Sequence, residues 1–225
     1  MSPRVLLFDV NGTLLDLGAL ESAFADLVGS TEPIGEWFAR LLHGSLVANH
    51  TNRYRSFETI AVETLLVTAQ RRGLDPSPGA VVTVIAGLRR LPAHPDVGPA
   101  LERLGGAGFR MAVLTNGTGD LATEQLGHAG IERFFERVIS IDAVRRFKPA
   151  PETYLHAAAV LDVEVDEMLM VAAHDWDVSG ARSVGVPGAF LARPGAVWGL
   201  PEDPPALVAP DLGVLAELVI TRADH

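Results

Sequence analysis

The chain reads as an α/β protein, a Rossmann-like parallel sheet with helices on both faces and a helical segment inserted after the first strand. From residue 92 onward, short apolar runs alternate with helical stretches of about ten residues, the pattern of right-handed crossovers between parallel strands. Residues 16–91 instead carry apolar side chains at helical spacing and few β-branched runs. A chain of 225 residues is also long enough for one sizeable core and a smaller insertion. The expected division is a core of 1–15 and 92–225 with a helical cap of 16–91.

Each element follows from a local pattern. "VLLFDVNGTLLD", residues 5–16, opens as a buried strand and breaks just past Asp9 into a turn holding Asn11, Gly12 and Thr13. Ile34, Trp37, Phe38, Leu41, Leu42 and Leu46 form one apolar stripe of a helix, and Phe57, Ile60, Ala61 and Leu65 form another. "RGLDPSPG" stops the second, and a third helix is expected over 79–91. Next come a helix in "VGPALERLGGAG", a strand in "FRMAVLTN", a helix in "DLATEQLGHAG" and a strand in "RVISID". The series ends with a helix in "PETYLHAAAVL", a strand in "MLMVAA", a helix in "VSGARSVG" and a strand in "GAFLA". "RPGAVWGLPED", at 193–203, reads as a surface loop in preference to a rim of the site.

Composition excludes several classes of function. Hydrophobic residues make up 48% and charged residues 20%, the balance of a globular domain. The 28 acids outnumber the 18 lysines and arginines, and a net charge of −10 without a basic patch argues against nucleic acid. The absence of cysteine removes disulfides, thiolate metal sites and a cysteine nucleophile. No apolar run approaches membrane-spanning length or forms a signal-peptide core, so a cytoplasmic protein is expected. The histidines show neither HxH nor HExxH spacing.

In an open parallel sheet, ligands sit beyond the carboxyl ends of the strands. The residues there are Asp9, Asn11 and Thr13; Thr115 and Asn116; Lys148; and His174, Asp175 and Asp177. A carboxylate held on a strand end can act as a nucleophile, although an aspartate beside glycine also caps turns. Lys148, made extended by Pro149, could keep Asp9 ionised or lie on the surface. Thr115 and Asn116 could donate to an anion or cap the following helix. Asp177 could orient Lys148 or a water, or cap its own helix.

Taken in order, Phe8-Asp9-Val10-Asn11-Gly12-Thr13-Leu14, Leu114-Thr115-Asn116-Gly117, Lys148-Pro149 and Val171 to Asp177 resemble the four signature segments of the haloacid dehalogenase superfamily. The resemblance spans almost the whole chain. It implies a covalent mechanism on Asp9, and most such proteins are magnesium-dependent phosphatases. Two departures count against a phosphatase. Asn11 replaces the acid that protonates a leaving alkoxide, whereas a halide departs without a proton. Ala172 and Ala173 stand where a glycine and a metal-binding aspartate are found, and methyl groups supply no oxygen ligand.

The type II haloacid dehalogenases match best, through "LTNG", the pair Lys148 and Tyr154, and "WD" at 176–177. That likeness implies a halocarboxylate substrate, no cofactor and no metal. Asp9 would displace halide from C2 with inversion, and water would then release the 2-hydroxy acid. It further implies charge stabilisation by Lys148, hydrogen bonding by Thr13 and Thr115, halide contact by Asn116, and a part for Asp177 with the hydrolytic water. His174 replaces an asparagine and is either a base for ester hydrolysis or a packing histidine. Asn11 replaces an aromatic residue and Ala172 a serine. The substrate-binding arginine of the family falls at Phe38, with Arg40 on another face of the helix. The alternatives are a magnesium-dependent phosphatase and a binding protein that has lost turnover. The helix face around Trp37 and Leu41 is a candidate homodimer contact.

Overall fold

The computed structural model describes residues 3–30 and 33–223. Six strands, β1 (Val5–Phe8), β2 (Arg110–Thr115), β3 (Arg137–Ser140), β4 (Met168–Ala172), β5 (Gly188–Leu191) and β6 (Leu207–Ala209), form one sheet in the order β3-β2-β1-β4-β5-β6. All neighbours pair in parallel. Central β1 is buried along its length, which is why its sequence is an unbroken apolar run. Its end lies where the order of connections reverses, the place at which such sheets open a crevice.

Four helices, α1 (Glu21–Val28), α2 (Pro33–His50), α3 (Phe57–Gln70) and α4 (Pro78–Leu88), follow β1 before α5 (Val97–Gly106) leads into β2. Ser56 and Ser77 cap α3 and α4 by accepting from Thr59 and Ala80 N–H, and Pro78 occupies the first turn of α4. The later crossovers are α6 (Gly119–His128), α7 (Pro151–Leu161) and α8 (Asp175–Ser183), and α9 (Leu212–Ala223) closes the chain. Among the described residues, no helix is long and apolar enough to cross a membrane.

Three expectations change. Helix α8 starts at Asp175, three residues before the stretch read as helical, so Asp177 sits in its first turn and not in a loop. Strand β6 and α9 extend the fold beyond the last predicted strand. The strand is only three residues long and flanked by prolines, too short to show alternation. Trp37 and Leu41 are 0% and 1% exposed, with the Trp37 indole donating to Ala61 O and its ring 5.2 Å from Phe24. They belong to the chain's own core, so they offer no face to a second copy.

The helical segment is tied to the sheet near the end of β1. Asn49 of α2 exchanges two hydrogen bonds with the backbone of Phe147, 2.8 and 2.9 Å. Arg89 bonds Glu124 of α6 at 2.6 Å, and Gln125 donates to Leu88 O at 2.6 Å.

Candidate active site

Asp9 follows the last residue of β1, and its N–H still donates to Val171 O of β4, so the sheet fixes its backbone. The next residues turn sharply through Gly12, whose φ of +81° belongs to the left-handed region. That turn brings Thr13 back, and its hydroxyl donates to Asp9 Oδ2 at 2.6 Å. Ala173 N–H fills the Thr13 oxygen at 3.0 Å, which commits the hydroxyl hydrogen to Asp9. Asp9 therefore does not cap its own turn; it is held as an acceptor facing a ring of donors.

Lys148 reaches Asp9 from the loop before α7. Its Nζ donates to Asp9 Oδ1 at 2.8 Å, Leu114 O at 2.8 Å and Asp177 Oδ2 at 2.6 Å, and its side chain is 0% exposed. Burial opposes the ammonium charge, but Asp177 and Asp9 outweigh it and raise the Lys148 pKa. Burial likewise pushes the Asp9 carboxyl up, yet the charges of Lys148 and His174 and the bonds from Lys148 and Thr13 bring it below its ordinary value. Asp177, wholly buried and repelled by Asp9, is raised despite Lys148 and Tyr154. Of the two carboxylates sharing one ammonium, Asp9 is the better stabilised anion.

Tyr154 is also buried, and its hydroxyl donates to Asp177 Oδ1 at 2.7 Å. Burial and the Asp177 charge raise its pKa well above the usual phenol value, so it remains a donor. With one oxygen on Tyr154 and the other on Lys148, Asp177 acts in this geometry to orient Lys148. Tyr154 lies behind it and does not line a substrate space. Helix α8 can approach this closely because of Gly180, where a Cβ would lie 2.4 Å from Pro149 Cβ and 2.7 Å from the Tyr154 hydroxyl.

Thr115 and Asn116 do not cap α6; Thr118 does, accepting from Leu121 N–H. Thr115 Oγ1 accepts from Gly117 N–H, and Asn116 Oδ1 accepts from Lys148 N–H at 2.8 Å. Among the described residues no partner meets the Asn116 NH₂ group. The Asn11 side chain accepts from Gln125 at 3.0 Å, an orientation imposed by Leu88 O, which takes the same Gln125 NH₂.

His174 lies at the edge, its Nε2 2.9 Å from Asn11 O and 3.6 Å from Asp9 Oδ2. Its ring stacks against Phe38 at 5.4 Å and Trp176 at 5.1 Å. Phe38 thus occupies a wall of the site with an apolar ring. Arg40 does not join it: its guanidinium bonds Glu36 one turn earlier, in a surface cluster with Arg71 and Arg72. The cause is the roughly 100° turn per helical residue, which puts position 40 well away from position 38.

Arg193 escaped the sequence reading. Only 6% exposed, it donates from Nε to Thr13 O at 2.7 Å and grips Asp96 with its two terminal guanidinium nitrogens, while Asp96 also accepts from Leu212 N–H. It braces the Thr13 turn from behind. Arg193 to Ala196 also border a cavity of about 630 Å³ with Phe38 and His174, so this end of the otherwise surface loop lies beside the site. Gln125 was missed as well. A glutamine on the buried stripe of α6 was its one sequence signal, whereas Arg193 lay hidden in a loop.

The donor set does not suit magnesium. Asp175 Oδ1 accepts from Trp176 N–H and Oδ2 from Gly199 N–H, so both of its oxygens are taken up by backbone donors. Among the described residues, no group of three or more histidine, aspartate or glutamate side chains is placed to hold a metal ion.

A buried aspartate just past the central strand of a parallel sheet, with an ammonium on one oxygen and a hydroxyl on the other, is the arrangement of a hydrolase whose carboxylate can serve as a nucleophile. The family model of haloacid dehalogenase-like hydrolases matches residues 3–185, and the chain belongs to that family. It is 30% identical over 220 residues to (S)-2-haloacid dehalogenase H-109 of Pseudomonas putida, covering 96% of this chain and 97% of that protein. It is 32% identical over 192 residues to the (S)-2-haloacid dehalogenase of Xanthobacter autotrophicus, covering 84% and 75%. The solved L-2-haloacid dehalogenase of Xanthobacter autotrophicus with chloropropionic acid covalently bound matches at a TM-score of 0.89 and 29% identity, over 96% of this chain and 98% of that one.

Proposed function

We propose that this chain hydrolyses the carbon–halogen bond of short 2-haloalkanoic acids, fluorinated acids among the candidates, to 2-hydroxy acids through an ester on Asp9 and without a bound metal. The observation that carries the reading is the Asp9 environment: a carboxylate kept ionised by Lys148 and aimed by Thr13, with no acid at position 11. Asp9 attacks C2, the carbon–halogen bond breaks with its electron pair on the halide, and C2 inverts. Water then attacks Cγ of Asp9, and the 2-hydroxy acid leaves. The halide needs hydrogen bonds and no proton, and the unpartnered Asn116 NH₂ suits it. Thr115 meets the substrate carboxylate, Lys148 stabilises charge beside Asp9 while Asp177, itself held by Tyr154, orients it, and residues 16–91 act as the cap that brings Phe38 over the site.

A phosphatase would need a proton donor at position 11 and oxygen ligands after β4, and this chain has Asn11, Ala172 and Ala173 there. The test measures halide release from (S)-2-chloropropionate, monochloroacetate and fluoroacetate in EDTA, beside phosphate release from an aryl phosphate with magnesium. Halide release that survives chelation, and is abolished in Asp9→Asn, is expected. Magnesium-dependent phosphate release alone would overturn the reading, and silence in both assays would favour a binding protein.

A further inference from the structure

The second half of that reaction needs something the first does not. When water adds to the ester, the carbonyl oxygen on Asp9 Cγ becomes an oxyanion, and a donor aimed at that position lowers the barrier. With Lys148 bonded to Oδ1 and Thr13 to Oδ2, an attack on C2 through Oδ1 would leave the later product alkoxide beside an ammonium. Oδ2 then carries the developing charge. Thr13 already donates to it, and His174 Nε2 lies 3.6 Å away.

The ring cannot use Nε2 as a base. At 2.9 Å from Asn11 O, a carbonyl with nothing to donate, Nε2 must carry hydrogen whether the imidazole is neutral or charged. The lone pair of the neutral ring is then on Nδ1, on the side away from Asp9. Phe38 and Trp176 both stack against the ring, which restricts its rotation. Gly12 makes the approach possible, since a Cβ there would lie 3.2 Å from His174 Cε1 and Nε2.

Resting on the dehalogenase reading, we propose that His174 is a catalytic hydrogen-bond donor which, with Thr13, stabilises the oxyanion on Asp9 Oδ2 during ester hydrolysis, and is not the base that activates water. The 3.6 Å separation suits an oxyanion donor, because the one Nε2 hydrogen rests on Asn11 O in the resting enzyme and is shared with Oδ2 as a three-centre bond once charge builds there. The stabilisation therefore falls on the transition state. The water's proton passes to the Lys148 and Asp177 pair, which returns it to the alkoxide oxygen as the Cγ–Oδ1 bond breaks. Asp9 is regenerated with one oxygen from water.

Single-turnover kinetics with (S)-2-chloropropionate, read by halide release and by the mass of the Asp9 peptide, tests the assignment with His174→Gln and His174→Ala. Glutamine keeps an N–H donor at similar reach but has no basic nitrogen. The Ala variant should release one equivalent of halide and then stall with the ester on Asp9, its hydrolysis slowed about 10²–10³-fold, as for loss of one oxyanion donor. The Gln variant should hydrolyse the ester within about tenfold of the parent, a retained donor being most of what is needed. Equal stalling of Gln and Ala would make the ring a base and overturn the proposal, as would an Ala variant that turns over normally. Loss of the halide burst in Ala would move His174 to the first step and overturn it too. A parent enzyme without any burst would instead sink the dehalogenase reading itself.

Discussion

Lys148→Met removes the one cation between two buried carboxylates while keeping most of the side-chain length. The ammonium makes three hydrogen bonds of 2.6–2.8 Å, to Asp177, Asp9 and Leu114 O, and none can be replaced by water because the side chain is fully enclosed. Breaking a buried pair by deleting one partner costs about 3–5 kcal/mol, since an uncompensated charge stays behind. For a chain of this size that corresponds to a fall in melting temperature of roughly 6–20 °C. Asp9 and Asp177 then compete for a proton, which lowers the ionised fraction of the nucleophile. Together with the lost electrostatic stabilisation, halide release should drop about 10²–10³-fold or more. Adding Asp177→Asn to Lys148→Met removes one of the two stranded charges and should recover roughly half of the lost stability, a coupling expected of groups in direct contact. Urea unfolding of the parent, both single variants and the double variant closes the cycle. A Lys148→Met protein within about 1 kcal/mol of the parent, or a double variant no more stable than Lys148→Met, would refute the buried-triad account.

Three further outcomes are expected. Tyr154→Phe strips a donor from the Asp177 carboxylate and should cost about 1.5–3 kcal/mol in urea unfolding, the range for a bond to a charged group; a neutral substitution would mean that Asp177 is held by Lys148 alone. Gly180→Ala forces a methyl into Pro149 and the Tyr154 hydroxyl and should destabilise by about 1–3 kcal/mol or more while slowing halide release, with wild-type behaviour on both measures counting against the close approach of α8. Burial works to raise the Asp96 pKa, but Arg193 and the Leu212 N–H outweigh it and depress the group below its usual range. A depressed acid adds stability above the unfolded carboxyl pKa, and that stability is lost as pH falls through the lower folded value. Asp96→Asn should therefore flatten the acid side of the stability profile, and an unchanged slope would contradict the pairing with Arg193.

Much of the site could be read in the sequence because strand ends in a parallel sheet converge whatever the helices do. Asp9, Thr13, Thr115, Asn116, Lys148 and Asp177 each follow a strand or open the next helix, so alternation alone was enough to gather them. The absence of carboxylates at 11, 172 and 173 was legible in the same way, since side-chain chemistry does not depend on packing. Sequence could not say which oxygen of Asp9 meets which donor, that Tyr154 stands behind Asp177, that Arg40 turns to Glu36, or that Trp37 and Leu41 face inward.

Those matters are settled by contacts between residues far apart in the chain. Arg193 braces Thr13 across 180 positions and Gln125 orients Asn11 across 114, and neither pairing leaves a local periodicity to detect. The His174 tautomer is of the same kind, set by a carbonyl 163 residues away. Local sequence determined which chemical groups would meet, because strand and turn formation are short-range. Tertiary packing decided their orientation and state of charge, because burial and hydrogen-bond geometry exist only once distant segments are in place.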